Sequence, residues 1–303
     1  MLSDSLVYVA GHRGLVGSAV WRLLEERGID SVGWSSAEVD LRNRDDTFDA
    51  LLSARPQVMV MAAARVGGIL ANATSPVDFL NDNLRIQTNL FEAAHAVDIQ
   101  RVVFLGSSCI YPRLAPQPIP ESALLTGSLE PSNEAYAVAK IAGIEAVKAY
   151  RRQYGRRWIS VMPTNLYGPG DNFDLDSSHV LPAMIRRFHE ADDRVTLWGT
   201  GRPRREFLHS SDAASAILHL IEHYDADGPV NVGVGEDISI RELADLVAEV
   251  VGFAGSVDWD ASKPDGTPRK LLDVSLLRSL GWRHQVALGA GVADTYSWFL
   301  AQR

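Results

Sequence analysis

Ser107, Cys109, Tyr136 and Lys140 are the residues whose types and spacing suit chemistry on a carbonyl. Tyr136 and Lys140 stand four apart in a stretch of helical periodicity, which puts them on one helix face. An ammonium beside a phenol favours the phenolate, so Tyr136 reads as an acid-base group with its pKa drawn toward neutral. Ser107 follows the apolar run Val102-Val103-Phe104-Leu105-Gly106 and so lies past the C-terminal end of a buried strand, where α/β proteins build their sites. With Tyr136 it can donate to a carbonyl oxygen as hydride reaches the carbon. Cys109, the single cysteine, adds a group that titrates nearer neutral pH than most, two residues away. The bland alternatives are an ordinary exposed helix for Tyr136 and Lys140 and an inert buried thiol for Cys109.

Such residues need a rigid frame, and strand and helix signals alternate to supply one. Apolar runs at 6–10, 31–34, 58–62, 102–105 and 159–162 read as strands. Helical periodicity covers Val16 to Arg27, Asp45 to Ala54, Val77 to Val97 and Glu134 to Tyr154. The alternation predicts an α/β fold, a doubly wound parallel sheet of Rossmann type. After Pro163 the rhythm changes. Ser177 or Ser178 is expected to cap a helix running to Glu190, Val195 to Trp198 to form a strand, and 263–268 to form a loop. Further helices are expected at 211–224, 239–251 and 290–301. The expected division is a dinucleotide-binding domain at 1–165 and a smaller C-terminal α/β substrate lobe at 166–303, part of which returns to the sheet.

Composition bounds the function. The chain has 303 residues, 46% hydrophobic and 22% charged, which suits a globular fold. A net charge of -9 argues against non-specific nucleic-acid binding. A lone cysteine makes no internal disulfide, and no apolar run approaches the roughly 20 residues of a membrane span. These features, with no signal-peptide pattern, read as a cytoplasmic protein without a membrane partner. No spacing suggests a metal site.

Gly11-His12-Arg13-Gly14-Leu15-Val16-Gly17 opens a helix directly after the first strand. Glycines allow a tight turn and close approach of a pyrophosphate to backbone N–H groups, and the helix N-terminus adds partial positive charge. The spacing is GxxGxxG, so the common dinucleotide fingerprint is not met literally, and a purely structural turn is the competing reading. The second strand ends in Trp34-Ser35-Ser36, without the acid that would favour NAD, while Arg13 is available to a 2′-phosphate; NADPH is the expected cofactor. Asp40, Leu41 and Ala63 fall where an adenine pocket and a phosphate edge would lie.

The combination resembles the extended short-chain dehydrogenase/reductase superfamily. Within it, Val9 to Ser18, Ser107 to Pro112, Ser178-His-Val-Leu-Pro182, Arg205-Glu-Phe-Leu-His209 and Lys263 to Lys270 resemble the GDP-L-fucose synthase family. The resemblance runs from the first strand to the last helix. It implies NADPH-dependent 3,5-epimerisation and 4-reduction of GDP-4-keto-6-deoxy-D-mannose by a homodimer. It also implies that Leu105, Gly106, Ser107, Ser108, Tyr136, Lys140, Pro163, Thr164, Asn165, Leu166 and His179 line the cofactor. Some members carry an arginine where this chain has Ser36, which leaves more of the 2′-phosphate to Arg13.

The resemblance pairs Cys109 with His179 as acid-base groups. A C4 ketone acidifies the hydrogens on C3 and C5, and inversion needs a proton removed from one face and returned to the other. Cysteine and histidine titrate nearest neutral pH. For the GDP-sugar, the resemblance points to Arg187, Trp198, Arg205 and Asp265. The arginines suit a diphosphate, Trp198 a base or sugar face, and Asp265 the N1–H and N2–H of guanine. Two other readings share these residues: a related deoxyhexose enzyme with a colitose-type product, and a non-catalytic NADP-binding sensor.

Overall fold

The computed structural model describes residues 2–175, 177–263 and 265–303. In chain order its strands are β1 (Val7–Ala10), β2 (Ser31–Val32), β3 (Val58–Met61), β4 (Arg101–Leu105), β5 (Ile159–Pro163), β6 (Asn165–Tyr167) and β7 (Arg194–Trp198). They continue with β8 (Arg204–Arg205), β9 (Phe207–His209), β10 (Val230–Val232), β11 (Ile238–Ser239), β12 (Ser256–Asp260) and β13 (Arg269–Lys270). The helices are α1 (Leu15–Glu26), α2 (Arg44–Ala54), α3 (Ile69–Thr74), α4 (Pro76–Ala96), α5 (Glu134–Tyr154), α6 (Val180–Glu190), α7 (Ser210–His223), α8 (Ile240–Val251), α9 (Ser275–Ser279) and α10 (Leu288–Ala301).

The main sheet is parallel throughout, in the order β10-β5-β4-β3-β1-β2. β1, β3 and β4 are buried along their whole length, as strands covered on both faces must be. Alternate residues feed opposite layers. Val7, Val9 and Val60 pack with Val20, Leu24 and Ile217 under α1 and α7. Tyr8, Met59 and Met61 pack with Phe91, Phe104 and Trp158 under α4 and α5. Each fully buried side chain of this size contributes roughly 1.5–3 kcal/mol. The chain reverses its direction of travel across the sheet between β1 and β3, which opens a crevice at their carboxyl ends.

Beyond residue 165 the chain serves both regions. β10 and α7 join the main layers, while α6, α8 and α10 close a third core around Phe188, Phe207 and Phe299. α8 starts with a reciprocal cap. Glu242 N donates to Ser239 Oγ at 3.1 Å, and Ser239 N donates to Glu242 Oε2 at 2.8 Å.

Two expectations are corrected. Neither Ser177 nor Ser178 caps α6: His179 occupies that position without a side-chain cap, because Ser177 Oγ is spent on Asp174 Oδ1 at 2.8 Å. Only Ser31 and Val32 of the 31–34 run pair as a strand, and Gly33 instead packs against His12. Segments 204–205, 207–209, 238–239 and 269–270 are strands too short to show a period of two. Pro264, in the expected 263–268 loop, lies outside the described residues.

Candidate active site

The glycine loop sits at the β1–β3 crevice. Gly11 has φ +82°, and a Cβ there would come within 2.8 Å of the Ala63 backbone, so only glycine lets the loop lie on the end of β3. A Cβ on Gly17 would fall 2.1 Å from the Gly11 carbonyl oxygen. Gly14, the residue before α1, offers no side-chain cap, leaving the first N–H groups of α1 to an anion. Val16, Leu105, Pro163 and Leu166 gather beneath the loop around a small apolar cavity. Thr164 and Asn165 are pinned at that edge, with Thr164 Oγ1 and Asn165 Nδ2 donating to the Glu206 carbonyl at 3.3 and 2.7 Å.

The ribose corner differs in part from expectation. Arg13 is exposed with no carboxylate within 4 Å among the described residues, and Ser36 is exposed as well. His12 turns inward, its ring 5.1 Å from Trp21. Burial, and then the Arg13 charge, lower its pKa. An acid is present after all. The Glu38 carboxylate folds back to accept from Ser35 N at 2.8 Å and Ser35 Oγ at 2.6 Å, and it interacts electrostatically with Arg13. Asp40 is held by Arg42, whose Nε and NH2 both lie 2.9 Å from its carboxylate. The Leu41 carbonyl accepts from Asn89 at 2.9 Å.

At the carboxyl end of β4, Gly106 and Ser108 are buried and Ser107 and Cys109 half-buried. α5 brings Tyr136 and Lys140 against them. A Cβ on Gly143 would come 2.2 Å from Phe104 Cζ, so glycine sets how closely α5 approaches β4. Lys140 Nζ donates to the Leu105 carbonyl at 2.8 Å and lies 5.8 Å from the Tyr136 ring centroid.

The expected direction of the Tyr136 shift is reversed. Desolvation raises its pKa, the Cys109 charge adds to that, and the hydrogen-bonded Ser107 works the other way. Lys140 is not among the groups that shift Tyr136, and burial pushes its own pKa down to about 8, against a smaller upward pull from Cys109. Tyr136 is therefore a protonated phenol at neutral pH, which suits an acid.

Two expected titrations follow from Lys140. If its ammonium is needed for reduction, kcat/KM falls about tenfold per pH unit above about 8, and Lys140→Arg moves that limb to higher pH. For stability, the folded pKa lies below the unfolded 10.5, so the unfolded state binds more protons between the two values. The cost of the buried charge is full below about 8 and fades as pH rises to 10.5, as denaturant titration across that window would read.

Cys109 has partners that spacing did not reveal. Asn133 Nδ2 donates to its Sγ at 3.3 Å, and Lys270 Nζ reaches the same Sγ at 3.7 Å. Lys270 also acts on His179, whose pKa is lowered first by desolvation and then by that ammonium. The His179 residue remains exposed, so the desolvation of its ring is only partial. Lys270 therefore touches Cys109 and acts electrostatically on His179, the two groups that the resemblance pairs.

Lys270 aligns with Arg205 across the parallel β13–β8 pair, so both side chains leave the same sheet face. Glu206, fully buried, anchors this corner: Oε1 accepts from Gly235 N at 2.6 Å and Oε2 from Leu272 N at 3.1 Å. Neither Arg187 nor Arg205 has a carboxylate within 4 Å among the described residues, and burial lowers the Arg205 pKa. Two half-buried arginines without acidic partners suit an anionic ligand.

Trp198 is 57% exposed and carries Lys263 Nζ 5.5 Å from its ring. Asp265 is already engaged, its oxygens accepting from Thr200 N at 2.6 Å and Thr200 Oγ1 at 2.8 Å. An ionised carboxylate offers roughly four acceptor positions, so some capacity remains beside Trp198. Asn133, Lys270 and Glu206 were missed from sequence. Lys270 ends a quoted motif and Asn133 lies three residues before Tyr136, but only tertiary folding shows what they touch.

A parallel doubly wound sheet, a glycine cradle at its switch point and a Ser-Tyr-Lys cluster define a dinucleotide-dependent α/β enzyme. The chain belongs to the NAD dependent epimerase/dehydratase family, whose model matches residues 7–233. It is 55% identical to GDP-L-fucose synthase 1 of Arabidopsis thaliana over 299 residues, covering 97% of this chain and 93% of that protein. It is 52% identical to GDP-L-fucose synthase of Escherichia coli strain K12 over 313 residues, covering 99% and 98%. A solved GDP-L-fucose synthetase of Naegleria fowleri bound to NADP superposes with a TM-score of 0.91 at 28% identity, covering 100% of this chain and 96% of that one. The cradle, the open N-terminus of α1 and the unpaired Arg13 fit such a cofactor.

Proposed function

We propose that this chain epimerises GDP-4-keto-6-deoxy-D-mannose at C3 and C5 and reduces its C4 ketone, giving GDP-L-fucose. The observation that carries the reading is a thiol, Cys109, held at Sγ by Asn133 and Lys270 beside the Ser107-Tyr136-Lys140 cluster. A plain reductase has no use for that thiol.

NADPH supplies the hydride that reaches C4. Ser107 and Tyr136 hydrogen-bond the C4 oxygen, stabilise an enolate there during proton exchange, and deliver the phenolic proton once the ketone is reduced. Cys109 and His179 move protons at C3 and C5. Lys140 holds the cofactor ribose, while Gly11, His12, Arg13, Gly14, Leu15, Val16 and Gly17 form its phosphate loop. Ser36, Asp40, Leu41, Ala63, Leu105, Gly106, Ser108, Pro163, Thr164, Asn165 and Leu166 complete its walls. Arg187 and Arg205 take the diphosphate, and Trp198 with Asp265 takes the guanosine. In this reading residues 1–165 form the dinucleotide-binding domain, which also carries Ser107, Cys109 and Tyr136, and 166–303 form the substrate lobe, whose first residues reach the cofactor. The protein acts in the cytoplasm, and as a homodimer, the latter supported by apolar Val77 and Val138 exposed on α4 and α5.

The direct test supplies NADPH and the keto sugar. NADPH oxidation with GDP-L-fucose identified by NMR supports the proposal. Cofactor binding without turnover indicates a sensor, and turnover confined to a 3-deoxy-4-keto donor indicates a colitose-type enzyme. Arg13→Ala is expected to weaken NADPH binding about 10- to 100-fold, the loss of a charge-assisted phosphate contact, with little change for NADH. Fluorescence titration reads both, and equal losses would remove Arg13 as the discriminator.

A further inference from the structure

Asn133 stands at the N-cap of α5, the helix that carries Tyr136 and Lys140. Asparagine is among the best residues at that position because its side-chain oxygen accepts from the first free helical N–H groups. Here it makes no such bond. Its Nδ2 points to Cys109 Sγ at 3.3 Å, and its Oδ1 is buried with no hydrogen-bond partner. The side chain has thus forgone its usual local bond and left a buried acceptor empty, an arrangement that calls for an explanation.

We propose that Asn133 is a positioning residue for Cys109 and a contact for the sugar: Nδ2 holds Sγ toward the substrate, and Oδ1 accepts a hydroxyl of the bound hexose. This rests on the acid-base role of Cys109 given above. During exchange a proton passes between a sugar carbon and Sγ while the C–H electron pair moves into the C4 enolate, so no oxidant or reductant is required. Asn133 Nδ2 and Lys270 Nζ are the donors that fix Sγ, and only the amide also offers an acceptor.

Asn133→Ser separates positioning from support of the fold. Serine caps a helix as well as asparagine does, and it is too short to span to Sγ. The expected variant has a Tm equal to or above wild type and an unchanged Kd for NADPH. Its solvent deuterium incorporation at C3 and C5 falls about 10- to 100-fold, the scale of a lost hydrogen bond to a charged group. KM for the keto sugar rises by about fivefold, and alkylation of Cys109 by iodoacetamide slows. The alkylation readout is clean because the chain has no other cysteine. A lower Tm with all activities falling together would assign Asn133 a structural role and overturn the proposal, as would wild-type deuterium incorporation. Cys109→Ala serves as the control. If that variant loses incorporation and Asn133→Ser does not, only the Asn133 proposal fails. If Cys109→Ala keeps incorporation, the underlying acid-base reading fails.

Discussion

Cys109→Ser should yield an enzyme that still oxidises NADPH with the keto sugar but releases a reduced, un-epimerised GDP-hexose. Serine retains the volume, and Asn133 can still donate to its oxygen. A hydroxyl, however, does not supply an accessible conjugate base near neutral pH as a thiol does. Proton exchange at C3 and C5 is therefore expected to fall by about 10³-fold or more, in keeping with the loss of a general acid-base group. Hydride transfer is spared because Ser107, Tyr136 and Lys140 do not need the thiol to hold the C4 oxygen. Solvent deuterium incorporation and product stereochemistry by NMR read the split. Fucose-type product from this variant at the wild-type rate would end the role given to Cys109.

The position of Ser107 and Cys109 was legible in sequence because they follow a strand whose apolar run is continuous. Runs such as 58–61 and 101–105 are legible because both faces of a parallel strand are buried, so nearly every residue must be apolar. The glycine loop is legible for a similar reason: Gly11 and Gly17 meet backbone within 3 Å, and any side chain would collide. The small lobe was harder. β8 and β13 are two residues each, and their pairing is set by tertiary contacts rather than by pattern.

The site was half legible for the same cause. Tyr136 and Lys140 are neighbours by helical arithmetic, but Lys270 lies 161 residues from Cys109 and reaches it only when β13 docks on β8. Glu38 escaped notice because its carboxylate returns to Ser35 through a turn rather than from the strand end itself. The tyrosine pKa was misjudged because spacing reports a neighbour's charge and says nothing of desolvation. Here burial dominates, and it also pulls Lys140 down to about 8.

The corrected direction sharpens what Tyr136→Phe should do. A phenol kept protonated at neutral pH is matched to ketone reduction, in which the C4 oxygen becomes an alkoxide and must be protonated. Removing the hydroxyl takes away both the proton donor and one of two hydrogen bonds to that oxygen. Ser107 remains, so turnover is reduced rather than abolished, by about 10²–10⁴-fold. Because an enolate at the same oxygen needs the same hydrogen bonds, deuterium incorporation at C3 and C5 should fall with it. Loss of both activities distinguishes this variant from Cys109→Ser, which loses only exchange. NADPH affinity should stay within about twofold of wild type, because Lys140 keeps its bond to the Leu105 carbonyl without the phenol. A Tyr136→Phe enzyme that exchanges protons normally while failing to reduce would place enolate stabilisation on Ser107 alone, and would separate two functions proposed for one pair.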